Sequence, residues 1–281
     1  MSKLGKHSML ILVLIFECLF ICVNGAHFVL VHGSGHGAWC WYKVATMLKH
    51  GGHNVTTLDM AASGINPKQV QEIRSISEYY EPLMTFMNSV PPKEKVILVG
   101  HSFGGIPVSV AMEKFPQKIS IAVFVSAGVL SENLTSATVN QETFRRAGSF
   151  MDTKFLFFDG PKKPPTAFLL GPKHAASKLY QLSPSQDLTL ALTLVRPHPL
   201  FNNVELLLRE TFVTKQRNGR VPKVFIMNKS DKLVKEDIQR WVIERTAPYA
   251  EVMEIKGSDH MVMLSKPKKL SSHLLNIAYK F

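Results

Sequence analysis

From residue 27 onward, short apolar runs rich in β-branched residues alternate with stretches in which apolar side chains return every three or four positions. His27–Val31, Val55–Leu58, Val96–Val99, Ile121–Ser126, Val224–Met227 and Val252–Ile255 read as strands. Most are continuously apolar rather than alternating, the pattern of parallel strands covered on both faces. Between them, Tyr80, Leu83, Met84 and Met87 fall on one face of a helix, and Ile238, Trp241 and Val242 repeat that spacing. Both stripes are expected to pack into a core. Strand–helix alternation with right-handed crossovers predicts an α/β fold: a mostly parallel central sheet with helices on both faces. One stretch, about 128–215, breaks the rhythm. It shows no convincing strand, several aromatics and the turn-rich Gly160-Pro161-Lys162-Lys163-Pro164-Pro165. An insertion of that length between strands is usually functional, and a cap over an active site fits.

Ahead of the first strand, Lys3, Lys6 and His7 precede a 15-residue apolar run, Met9–Val23. A membrane span needs about 20 such residues, whereas a signal-peptide core is this short. Small residues at Val23 and Gly25 put cleavage after Gly25 or Ala26. Glu17 opposes that reading, since a carboxylate in such a run costs about 2.5–3.5 kcal/mol on insertion. The expectation is a leader over 1–25 and a single domain over 26–281, with its cap at about 128–215. Location is then secretory or extracellular if the leader is cleaved, without stable membrane association, and cytoplasmic otherwise. Asn133-Leu134-Thr135 is a glycosylation sequon in an expected loop. Asn54 and Asn228 also match, but the first enters a strand expected to be buried and the second adjoins a candidate catalytic residue.

Composition narrows the classes. With 46% hydrophobic and 19% charged positions over 281 residues, disorder is excluded and one large core is affordable in length. Of the three cysteines, Cys18 and Cys22 fall in the leader, so Cys40 alone can make neither a disulfide scaffold nor a thiolate zinc site. The net charge of +12 is spread thinly. Its densest runs, Lys162-Lys163 and Lys266-Pro267-Lys268-Lys269, lack the interleaved aromatics of a nucleic-acid surface and read as solvated. No histidine pair has metal-ligand spacing on a helix, so neither metal nor cofactor is expected.

The strand Val96–Val99 runs into Gly100-His101-Ser102-Phe103-Gly104-Gly105 and then a helical pattern to Phe115. This is G-x-S-x-G in its required strand–turn–helix context, which holds the serine hydroxyl above the sheet edge. Pro107 is tolerated because first-turn amides have no helical partner to lose. After the first strand comes His32-Gly33-Ser34-Gly35-His36-Gly37, a loop whose glycines let a backbone N–H approach a developing oxyanion. The expected donors are the amides of Ser34 and Phe103. A phosphate cradle is the rival, but neither G-x-G-x-x-G nor a G-x-x-x-x-G-K frame is present. A serine nucleophile needs a base, and the base needs a carboxylate to fix its tautomer. Asp231 follows the strand Val224–Met227 and His260 follows Val252–Ile255, both at carboxyl ends of strands where such sheets gather ligands. Asp259 competes for the acid role but adjoins His260 and is expected to point away from it.

These residues resemble the plant methylesterase and hydroxynitrile lyase group of α/β-hydrolases. The likeness runs through His27–Gly33, His36-Gly37-Ala38-Trp39, Leu58–Ile65, Lys95–Gly105, Ala111–Pro116, Leu194-Val195-Arg196-Pro197, Gln239-Arg240-Trp241 and Ile255–Met261. It covers nearly everything from residue 27. The resemblance implies a Ser102–Asp231–His260 triad and a helical cap, inserted after the sixth strand, over a hydrophobic pocket for methyl esters of small plant signals. Gly33, His101 and Met261 are the pocket candidates. The Pro-Pro segment and Leu182–Leu188 resemble the branch with methyl jasmonate esterases and methylketone synthases. Within the group, lyases carry Thr where Gly33 stands and Lys where Met261 stands, so lyase activity is disfavoured. Methylketone synthases carry Ala at the nucleophile, where this chain has Ser102. Ser34 departs from the usual Ala.

The expected protein is therefore a serine carboxylesterase. Its partner is a small-molecule methyl ester, methyl jasmonate before methyl indole-3-acetate or methyl salicylate, and a homodimer is allowed. The alternative is a slow-turnover hydrolase that acts as a ligand sensor.

Overall fold

The structure is a computed structural model that describes residues 25–281. The leader expected over 1–25 therefore lies, but for its last position, outside the described residues. In chain order the strands are β1 (His27–Val31), β2 (Asn54–Leu58), β3 (Val96–His101), β4 (Ile119–Val125), β5 (Lys154–Leu156), β6 (Ala167–Leu169), β7 (His198–Pro199), β8 (Lys223–Asn228) and β9 (Glu251–Ile255). All six strands expected from the apolar runs form, and they pair in parallel in the order β2-β1-β3-β4-β8-β9.

Successive side chains of a strand point to opposite faces, so one apolar run feeds two cores. Val29 and Val31 of β1 enter the core on one face, while Phe28 and Leu30 enter the other. The helix Ile76–Ser89 brings Tyr80, Leu83, Met84 and Met87 to the first core. Ser75 starts that helix, its hydroxyl accepting the Glu78 amide at 3.3 Å. The helix Pro267–Lys280 brings Leu270, Leu274 and Ile277 to the second. In the helix Glu236–Thr246, Ile238 and Val242 are buried and Trp241 packs at the margin. The outermost strands stay half open. Asn54 begins edge strand β2 and is exposed, contrary to the burial expected for it. Asn228 is fully buried, and Asn133 is exposed.

The chain leaves the large sheet after β4 and returns at β8. In chain order the insertion thus follows the fourth strand of the described sheet, where the resemblance implied the sixth; no further strand of that sheet precedes it among the described residues. It is also not wholly helical. Besides the helices Ser136–Ala147, Ser185–Leu194 and Val204–Glu210 it holds a three-stranded antiparallel sheet, β5-β6-β7. Strands of three, three and two residues are too short to leave a period in the sequence.

Three polar fastenings join this layer to the sheet domain. Buried Asp187 pairs with Lys43 and accepts from the Tyr42 hydroxyl at 2.8 Å. The Arg196 guanidinium donates to the carbonyls of Gly64 (3.1 Å), Asn66 (2.6 Å) and Lys68 (2.8 Å). The Leu182 amide and Ser183 hydroxyl each reach Asp259 Oδ2 at 2.9 Å. No helix among the described residues is long and apolar enough to cross a membrane.

Candidate active site

β3 ends at His101, and Ser102 opens a tight turn into the helix Gly105–Lys114. Ser102 has φ of 53°, in the left-handed region that a non-glycine residue seldom occupies. The turn closes this tightly only because its flank is glycine. A Cβ at Gly105 would lie 2.0 Å from the Gly128 carbonyl oxygen. The amide of Gly128 in turn donates to the Ser102 carbonyl at 3.1 Å.

The sequence-distant candidates converge here. His260 Nε2 lies 3.0 Å from Ser102 Oγ, and His260 Nδ1 lies 2.7 Å from Asp231 Oδ2. With the carboxylate accepting, Nδ1 carries the proton and Nε2 presents its lone pair to the serine. Asp231 is itself fixed. Its Oδ1 accepts from the amides of Leu233 (2.8 Å) and Val234 (2.9 Å), and Oδ2 also accepts from the Ser126 hydroxyl (2.7 Å). Asp259 turns away, spending Oδ2 on the cap as described.

Ser34 and Phe103 both line the cavity beside Ser102. Phe103 is the second residue of the turn, where an amide has no acceptor within the helix. Gly33 and His101 line the same cavity. Met261 does not: it is fully buried in the core beneath, because the chain after His260 turns down into a short helix at Val262–Ser265. That corrects its expected place in the pocket.

Several supporting residues escaped the sequence reading. The His260 carbonyl accepts from His101 Nε2 (2.8 Å) and Asn228 Nδ2 (3.3 Å). Gln239 clasps the Asn228 backbone with two 3.0 Å bonds. Burial, then the neighbouring His260, holds the His101 imidazole well below the usual histidine range. His36 Nδ1 donates to the Ser34 carbonyl at 2.8 Å, and its Nε2 accepts from the Tyr180 hydroxyl at 2.7 Å, so a cap residue braces the loop that carries the Ser34 amide. Burial pushes His36 down to about 4 and keeps it neutral for that role. Ser126 sits just past the carboxyl end of β4, a position where sheets of this type place functional groups and the one signal that could have flagged it.

The cavity above Ser102 is walled largely by cap residues, among them Phe144, Phe150, Phe155, Phe168 and Phe201. Its titratable lining groups are histidines; no lysine, arginine, aspartate or glutamate lines it among the described residues. No group of three or more metal-ligating side chains occurs among the described residues. The arrangement can activate a hydroxyl and enclose an apolar acyl group.

Residues 28–272 match the Alpha/beta hydrolase family. The chain is 54% identical over 256 residues to Methyl jasmonate esterase 1 of Vitis vinifera, covering 91% of this chain and 97% of that protein. It is 46% identical over 260 residues to Salicylic acid-binding protein 2 of Nicotiana tabacum, covering 92% and 99%. Among solved structures, tomato Methylketone Synthase I complexed with 2-tridecanone superposes with a TM-score of 0.88 at 46% identity, covering 92% of this chain and 99% of that one.

Proposed function

The chain belongs to the α/β-hydrolase family, within its plant methylesterase group, and from that premise we propose that it hydrolyses methyl esters of small plant signalling acids, methyl jasmonate foremost, through a Ser102–His260–Asp231 triad. It is a serine carboxylic ester hydrolase. The observation that carries the catalytic reading is the continuous chain from Ser102 Oγ through His260 to Asp231, at 3.0 and 2.7 Å, on the wall of an apolar cavity. The likeness to a methyl jasmonate esterase supports that ester ahead of methyl indole-3-acetate and methyl salicylate.

In this mechanism His260 Nε2 takes the Ser102 proton as Oγ attacks the ester carbonyl. The oxyanion is taken up by the amides of Ser34 and Phe103, backbone donors of the kind that stabilise charge as it develops. His260 returns the proton to methoxide, and methanol leaves. Water then attacks the acyl-enzyme with the same imidazole as base, releasing the acid. Asp231 holds the tautomer and stabilises the imidazolium without itself taking the proton.

The test is a panel of methyl jasmonate, methyl salicylate, methyl indole-3-acetate and p-nitrophenyl acetate, given to the protein and to Ser102→Ala. Hydrolysis of methyl jasmonate above the others is expected, with kcat falling by about 10⁴ or more in the variant, since triads act as a unit. Turnover surviving in Ser102→Ala would remove the nucleophile assignment. Hydrolysis of the nitrophenyl ester alone would keep the triad and discard the substrate.

A second reading, a slow-turnover hydrolase that senses its ligand, draws on the relative named for binding salicylic acid. Turnover separates the two. A kcat of about 1 s⁻¹ or more lies in the ordinary enzyme range and argues against sensing.

A further inference from the structure

The cavity holds a polar group that the chemistry above leaves unused. His198 lies in β7, paired through the backbone with Phe168 of β6 in the cap. It is 3% exposed, and that remnant faces the cavity it lines. Aromatic rings enclose it: Phe103 at 4.7 Å between centroids, Tyr79 at 5.1 Å, Phe168 at 5.4 Å and Phe201 at 6.4 Å. Phe103 directly follows the nucleophile, so His198 stands one ring away from the reacting centre, in the wall of the same cavity.

A buried imidazole normally finds a partner for each nitrogen. His198 Nδ1 is sealed in the wall with none, and no described residue hydrogen-bonds its Nε2. Burial pushes the group down to about 3, so it is neutral at physiological pH and carries one N–H and one lone pair. An unmet lone pair is more readily tolerated than an unmet N–H, which assigns the proton to Nε2. A phenylalanine would pack as well among four aromatic rings without leaving polar atoms unpaired. The histidine is explained if its partner arrives with the substrate.

We infer that His198 determines specificity by donating a hydrogen bond to an oxygen on the acyl part of the ester, remote from the ester carbonyl, so that the preferred substrate carries a ketone-type acceptor there. The inference rests on the methyl-ester reading and adds which acyl chemistry the pocket selects. It concerns recognition rather than bond breaking, so His198 is a specificity residue and takes no proton in the reaction.

The experiment compares methyl jasmonate, which carries a ring ketone, with the same ester in which the ring carbonyl is replaced by methylene. The kcat/KM of each is measured for the wild type, His198→Phe and His198→Gln. The wild type should prefer the keto ester, and His198→Phe should lower the keto-to-deoxo selectivity ratio by about tenfold, the scale of one buried neutral hydrogen bond. His198→Gln, which keeps an N–H donor, should recover part of that ratio. Equal losses on both esters would mean that the ring only packs, and the inference falls. Should His198→Phe not fold, the wild-type ratio decides: no preference for the keto ester overturns the inference. Hydrolysis of neither ester by the wild type overturns the methyl-ester reading and His198 with it, whereas hydrolysis of both without discrimination overturns His198 alone.

Discussion

Asp231 and Asp259 both lie next to His260, one in space and one in sequence, yet their oxygens are committed to different partners. Asp231 Oδ2 faces the imidazole, while Asp259 Oδ2 holds Leu182 and Ser183 of the cap. Asp231→Asn should therefore lower kcat by about 10⁴, as the amide would favour the wrong histidine tautomer. Asp259→Asn should cost far less in kcat. Steady-state kinetics of the two variants check this, and the reverse ranking would reassign the acid. Ser102, Asp231 and His260 were legible in the sequence because each sits at the end of an apolar strand, in a loop of suitable composition. Ser126, Asn228, Gln239 and His198 were not. Their parts depend on which loops the fold brings together, and a lone polar residue beside a strand carries no record of its partner. Met261 shows the opposite error, since a motif position fixes a residue's number without fixing where its side chain points.

At the scale of elements, the cap and the loop after β1 are coupled through Tyr180 and His36. Removing only the hydroxyl, in Tyr180→Phe, leaves the ring against His36, 5.9 Å between centroids, but frees His36 Nε2 and so loosens the imidazole whose Nδ1 fixes the Ser34 carbonyl. The amide of Ser34 then loses its brace. A fall in kcat of roughly tenfold is expected from weakened oxyanion stabilisation, with KM changed less. A rise in KM alone would instead mean that Tyr180 serves substrate binding. The four inner strands of the large sheet, β1, β3, β4 and β8, were readable because burial on both faces demands a nearly unbroken apolar run. The cap was readable only as an interruption. Its β5-β6-β7 sheet takes its order from pairing across distant residues, Phe155 with Phe168 and Phe168 with His198, which no local pattern announces.

For the whole molecule, the buried neutral histidines tie stability to pH. His36 and His198 are pushed down to about 4 and about 3, while in the unfolded chain they would titrate near 6.5. Between those values the unfolded state binds more protons than the folded one, so stability is lost as pH falls below about 6.5. The slope is on the order of 1.4 kcal/mol per pH unit for each histidine. Urea midpoints at pH 7 and pH 5 should differ accordingly, and equal midpoints would show that these groups protonate without unfolding. The cavity wall, with histidines but no fixed charge among its lining residues, has a consequence for the end of the reaction. A neutral ester enters readily, but the acid it yields is an anion at neutral pH and meets no permanent cation. It can remain bound only with a proton, its own or one taken by an imidazole. Inhibition by the acid product should thus strengthen by up to about tenfold for each pH unit lowered, until the free acid or the imidazole is itself protonated. An inhibition constant that stays flat from pH 8 to pH 6 would mean that the anion finds a standing positive charge. Under this arrangement the enzyme releases its product more freely in alkaline surroundings and retains it in acidic ones, so that local acidity, rather than substrate supply alone, sets how far hydrolysis proceeds.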